Sequence, residues 1–232
     1  MIRALCLSLP LLAATPAAAV LSFAPGDTVT LAFDGRSDAY LGGSTPVPGL
    51  GASLTLVFTG FTGNIARFDY SLANLSAAPM TGARVSGFGF DVGGAFRLSG
   101  STASGAFNRT GSGNVPGFGP VDFCVRAGGG GGQCAGGGGG GVGLGALPGT
   151  GSFGLAFSSA PALVSLDNFV LRYQSLDSPE LGMKGASGIG LPTTTGIIPE
   201  PKTWTMLIIG FGLVGLSLRR QQREQAQASS AT

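Results

Sequence analysis

Apolar and polar residues alternate with a period of two along much of the chain before Pro199, and this limits the fold more than any other feature. Thr28 to Asp34 sets Val29, Leu31 and Phe33 against Thr28, Thr30 and Ala32. Ser53 to Thr59 sets Leu54, Leu56 and Phe58 against Ser53, Thr55 and Val57. Ile65 to Leu75 places Phe68, Tyr70 and Leu72 opposite Asp69, Ser71 and Ala73. Arg84 to Val92, Val121 to Arg126, Ser152 to Ser158 and Phe169 to Tyr173 continue the series. Gly, Pro, Asn and Asp bound these runs, as expected of half-buried strands. No segment before Pro199 carries a convincing helical period. The expectation is an all-β domain over residues 20–174, an antiparallel β-sandwich or jelly roll, because short strands follow one another without βαβ spacing. The 15 phenylalanines would supply most of its core.

Two low-complexity stretches interrupt the pattern. Residues 128–145 are almost pure glycine. Such a segment has little apolar surface to offset its chain entropy and reads as a mobile loop. A phosphate-binding loop would need a Lys-Ser/Thr pair, which is absent. Residues 175–198, rich in Gly, Ser, Thr and Pro, read as a flexible linker.

The two ends are of a different kind. Met1 to Ala19 has a positive start at Arg3, an apolar stretch from Ala4 to Leu12, and a small-residue Ala17-x-Ala19 site. That is the pattern of a secretory signal peptide cleaved after Ala19. At the other end, Pro199-Glu200-Pro201 precedes an uncharged run from Thr203 to Leu218, and Arg219-Arg220 closes it. As a helix the run would cover roughly 24 Å, a short membrane span, with Trp204 at one interface and the arginines at the other. The positive-inside rule places residues 221–232 in the cytoplasm and the β domain outside. Gly210-x-Gly212-x-x-Gly215 is a literal dinucleotide-binding pattern. It lies inside the apolar run, not between a strand and a helix, so its glycines read as a flat helix face.

In this order and spacing, Pro199, Glu200, Pro201, Trp204, the apolar run around Gly210 and Gly212, and Arg219-Arg220 resemble the PEP-CTERM sorting signal of Gram-negative bacteria. The resemblance implies processing by an exosortase near the Pro-Glu-Pro and an association with exopolysaccharide and biofilm matrix. Phe123-Cys124, the glycine tract around Cys134, and Leu166 to Ser175 resemble a PEP-CTERM subgroup called the cistern family, for which no activity is implied.

Export would leave Cys124 and Cys134 as an even pair in an oxidising space, able to close a small loop worth about 2–3 kcal/mol. The alternative, a metal site, would be incomplete, because the chain contains no histidine. The same absence excludes a Ser-His-Asp triad and a Cys-His pair. An aspartate pair for glycoside hydrolysis would draw on Asp34, Asp38, Asp69, Asp91, Asp122 or Asp167. Most of these sit at strand ends or on polar faces, where a solvated carboxylate is the simpler account. Asp27, Asp34 and Asp38 are near in sequence, but their spacing fits no Ca²⁺ loop. Residues 20–198 hold eight Lys or Arg against nine Asp or Glu, a net charge of −1, and a nucleic-acid binder would show a basic patch. Glycan binding usually uses exposed aromatics, and apart from Trp204 in the tail only Tyr40, Tyr70 and Tyr173 are offered besides phenylalanine.

The sequence therefore predicts a secreted or surface structural protein, not an enzyme, without cofactor or metal. It would be anchored in the inner membrane by one C-terminal helix, with a periplasmic domain, and then released to the surface or matrix. The alternatives are a carbohydrate-binding module of the extracellular matrix and an Asp-dependent hydrolase.

Overall fold

The computed structural model describes residues 20–129, 134–137 and 139–193. The signal peptide with Ala17 and Ala19, and the tail from Pro199 onward with its membrane-helix reading, lie outside the described residues. No helix among the described residues is long and apolar enough to cross a membrane.

The strands are β1 (Leu21–Phe23), β2 (Thr28–Arg36), β3 (Gly51–Thr62), β4 (Ile65–Asn74), β5 (Gly82–Val92) and β6 (Phe96–Gly105). They continue as β7 (Arg109–Val115), β8 (Gly119–Arg126), β9 (Val142–Gly143), β10 (Gly149–Phe157), β11 (Val164–Ser178) and β12 (Met183–Pro192). All belong to one antiparallel sheet with the order β6-β10-β4-β3-β2-β12-β11-β5-β8-β7; β1 adds to β11 and β9 to β5. Its two end strands, β6 and β7, are consecutive in the chain and lie against each other, so the sheet curls into a nearly closed barrel. The all-β antiparallel class matches the expectation. The layout is one continuous sheet instead of the two sheets of a sandwich or jelly roll.

The reason lies in residues 175–192. The linker reading is corrected there: β11 runs on to Ser178, and β12 fills the gap between β2 and β11. Glycine suits this strand because its neighbours press close. A Cβ on Gly188 would meet the Arg36 carbonyl oxygen at 2.2 Å, and one on Gly190 would meet the Tyr173 ring at 3.0 Å.

The inward faces are those set by the alternation. Leu31, Phe33, Leu54, Leu56, Phe58, Phe68, Tyr70, Leu72, Phe123, Val125, Phe153, Leu155 and Phe157 are all buried. Phe153 is the hub, with ring centroids of Phe68, Phe90, Phe123 and Phe88 at 5.0, 5.6, 5.7 and 6.1 Å. Phe107, in the connection between the two end strands, is fully buried and packs on Phe88 at 5.7 Å. Tyr70 ties this closure: its hydroxyl donates to the Ser104 carbonyl and accepts from the Phe107 amide, both at 2.9 Å.

Tyr173 is also fully buried, but its hydroxyl has no hydrogen-bond partner. Burial, with a smaller contribution from Asp34, raises its pKa, so it stays neutral. An unpaired buried hydroxyl costs about 1–3 kcal/mol. Tyr173→Phe is therefore expected to stabilise the protein by about 1 kcal/mol. Urea unfolding should show this as a higher midpoint with an unchanged slope.

Candidate functional site

Most of the outer surface chemistry lies on the half of the barrel formed by β2, β12, β11, β5 and β8. The register sets Arg36 beside Ile189, Ile189 beside Arg172, Arg172 beside Gly87, and Gly87 beside Arg126. Residues paired in this way share a face, so arginines recur across the outside of this half.

Arg172 of this row, and Arg84 paired with Gln174, organise the glycine tract. Arg84 donates to the carbonyls of Gly140 (2.5 Å) and Gly137 (3.3 Å) and to the Gln174 side chain (2.8 Å). Arg172 donates through Nε to Ala135 O (3.3 Å) and through Nη1 to Pro116 O (3.2 Å) and Gly188 O (3.1 Å). Gln174 adds a bond to Ala135 O at 3.2 Å. A disulfide joins Cys124 to Cys134, with both residues buried. Val142 and Gly143 then pair with β5 as β9. The mobile-loop reading of residues 128–145 is thus corrected for the described parts, which are docked on the sheet. Glycine permits the close contact: at Gly141, with φ of +92°, a Cβ would meet the Val85 carbonyl oxygen at 2.2 Å. Sequence reasoning missed these roles of Arg84, Arg172 and Gln174. The available signal was a cation repeated on the polar face of strands flanking a carbonyl-rich, side-chain-free segment.

Beside this docked tract lies a cleft of about 180 Å³. Its floor is Gly188 and Ile189 of β12. One wall is formed by Ser37, Asp38 and Gly43, and the other by Pro116 and Gly117 of the β7–β8 turn. Arg36 and Arg172 flank the floor. Arg36 donates through Nη1 to the Ser44 carbonyl, while its Nε is buried without a partner. Burial pulls the pKa of Arg172 down and nearby Asp38 pushes it back up; a guanidinium stays charged in either case. Ser37 is committed to the wall, since its hydroxyl donates to Ser187 O at 2.7 Å.

A second, more open groove of about 500 Å³ crosses β3, β4, β10 and β6 over Thr55, Asp69, Ser71, Thr150, Ser152 and Ser104. Hydroxyls on this half pair with one another, Thr30 with Thr55 at 2.8 Å and Ser104 with Ser152 at 2.9 Å.

The aspartates singled out in the sequence converge at one place only, and that place is not the cleft. Asp27 is occupied in a turn, accepting from the Ala24 amide at 2.7 Å. It lies seven positions from Asp34 in a nearly extended chain, about 20 Å away, so these do not share a Ca²⁺ with Asp38. Asp34 and Asp69 are exposed on separate strands, and Asp38 lines the cleft. Asp91, Asp122 and Asp167 do gather, on adjacent strands β5, β8 and β11. They serve the backbone: Asp91 accepts from the Asp122 amide (3.0 Å) and the Asn168 side chain (2.8 Å), and Asp122 from the Val92 amide (3.1 Å). Burial, then the charges of Asp91 and Asp122, raise the pKa of Asp167. No group of His, Cys, Asp and Glu among the described residues is arranged to hold a metal ion. Of the tyrosines, Tyr70 and Tyr173 are buried and Tyr40 is half-buried, so none offers an exposed stacking platform.

Comparison with known proteins adds one finding, at the C-terminal end. Residues 198–221 match the family profile of the PEP-CTERM protein-sorting motif. The match contains Pro199, Glu200, Pro201, Trp204, Gly210, Gly212, Arg219 and Arg220, and does not reach the residues that carry the cistern resemblance. No curated protein and no solved structure matches the chain. The chain is thus an all-β domain followed by a sorting tail, and the tail marks it as a PEP-CTERM protein. The motif implies export, membrane-associated sorting and processing by an exosortase.

Proposed function

We propose that the chain is a secreted or surface structural protein, delivered through its C-terminal signal to an exopolysaccharide or biofilm matrix, and that its β domain binds without catalysing. The observation that carries this is the sorting motif at residues 198–221, which begins only five positions after Thr193, where the β domain ends on a bond to Ala32 O. During sorting the tail would hold the domain on the periplasmic face of the inner membrane, with Arg219 and Arg220 inside. The cleft holds a single acid, Asp38, and no carboxylate pair, which favours binding over hydrolysis. The cleft between Arg36 and Arg172 favours a second reading within the same compartment, a carbohydrate-binding module.

The test is the intact mass and location of the protein in its native host, with and without the exosortase. The expected mature protein begins at Val20, lacks the segment beyond the Pro-Glu-Pro region, and is found outside the cell. Without exosortase the second cut should vanish and the protein should stay with the membrane. A mature protein that keeps its tail in both strains makes it a permanent membrane protein and sinks the sorting reading.

A further inference from the structure

We propose that the cleft between Arg36 and Arg172 recognises a single carboxylate carried on a sugar ring, that is, a uronate unit of an acidic polysaccharide. The polymer and its location rest on the matrix reading above; the recognition of a carboxylated sugar rests on the cleft alone.

Four features converge on this ligand. The first is the placement of the cations. Arg36 and Arg172 stand on strands β2 and β11 with β12 between them, in register with Ile189. Two strand spacings put their backbones about 10 Å apart, so a flat group resting on β12 has a guanidinium on either flank. The second is unused donor capacity. Arg36 lines the cleft with its Nη1 committed to the Ser44 carbonyl. Arg172 has Nε and Nη1 committed to carbonyls, while its Nη2 bonds no group among the described residues. A carboxylate oxygen can accept a charge-assisted bond from the remaining nitrogen of such a guanidinium.

The third feature is the single acid in the lining. Asp38 offsets one of the two cations, leaving a net charge of +1. A singly charged carboxylate balances that charge, whereas a doubly charged phosphate would overshoot it. The fourth is size and apolar surface. The cleft, of about 180 Å³, has room for a group much larger than a single water, of the order of a sugar ring. Ile189 and Pro116 give the apolar C–H face of such a ring something to lie against. The near-neutral domain makes this a local site, unlike the broad basic patch that a nucleic acid would need.

The experiment is calorimetric titration of the full-length protein in detergent micelles with a tetragalacturonate, a neutral maltotetraose, free galacturonate and acetate. The expected result is saturable, salt-weakened binding of tetragalacturonate and of free galacturonate, with neither maltotetraose nor acetate bound at the same concentrations. Arg36→Gln should weaken binding at least tenfold in a protein that still unfolds cooperatively. Asp38→Asn should tighten it, because it removes the one like charge. Equal binding of maltotetraose or acetate, no binding of uronate at millimolar concentration, or an Asp38→Asn variant that binds no tighter would each overturn the proposal. If Arg36→Gln fails to fold, the Asp38→Asn result decides alone. Uronate binding by a protein that is never processed by exosortase would leave the site standing and remove the delivery. Correct processing without uronate binding would do the reverse.

Discussion

Replacing Phe153 by alanine is expected to remove about 4 kcal/mol of stability, the upper range for truncating a buried aromatic ring. Phe153 is 2% exposed and meets aromatic rings from β4, β5 and β8. Those strands lie on opposite sides of the curled sheet, so the cavity has walls that cannot collapse together without breaking the register. Against a typical total of about 5–15 kcal/mol, this is a large share. Urea unfolding of the full-length protein should show it, with Phe153→Leu retaining well over half of the stability lost to alanine. A loss below about 1.5 kcal/mol for Phe153→Ala would show that the ring cluster does not organise the core.

The second large effect is expected at Arg172. Its fork joins three backbone segments, the glycine tract at Ala135, the β7–β8 turn at Pro116, and β12 at Gly188. Hydrogen bonds to a charged donor contribute about 1.5–3 kcal/mol each, but those sharing one side chain do not add fully. Arg172→Ala should therefore cost about 3 kcal/mol, and Arg172→Lys should recover only a minor part, because an ammonium lacks the planar fork. Hydrogen exchange separates this from general destabilisation. The amides of 134–137 and 139–143 should lose protection first, before those of β3 and β4. Unchanged protection there would mean that the disulfide and β9 hold the tract without the arginine.

The sequence was legible wherever a strand has one dry face. Leu54, Leu56 and Phe58 against Ser53, Thr55 and Val57 is a pattern that burial writes directly, and β3 covers it. The same holds for β2, β4, β8 and β10. The strands that escaped are those where packing places no large side chain. β6 runs Phe96 to Gly105 at an end of the sheet with much of its length exposed, so serines and glycines suffice. β7, from Arg109 to Val115, has glycine at alternate positions and no apolar period. β12 was hidden most thoroughly, since the close approach of Arg36 and Tyr173 demands glycine where a strand would ordinarily show a branched residue. Composition alone cannot tell a strand held flat by its neighbours from a segment with no neighbours. The glycine tract misled for the same reason, its partners being backbone carbonyls that carry no sequence signature. The candidate cleft was even less visible, because Arg36, Asp38, Pro116 and Arg172 are separated in sequence and meet only through β12. The sorting signal is the opposite case, a local pattern read directly from consecutive residues.

The central position of β12 also fixes an order of events. Until Met183 to Pro192 arrive, the strands from β6 to β2 and those from β11 to β7 have no hydrogen-bonded seam to join them on this side. A chain exported from its N-terminus delivers this seam last among the described strands, when the sorting motif five residues beyond Thr193 has yet to clear the export channel. The strand that closes the barrel and the sorting motif are thus close neighbours in the chain. A chain in which this strand fails to dock leaves two open sheet edges, at β2 and β11, immediately ahead of the sorting motif.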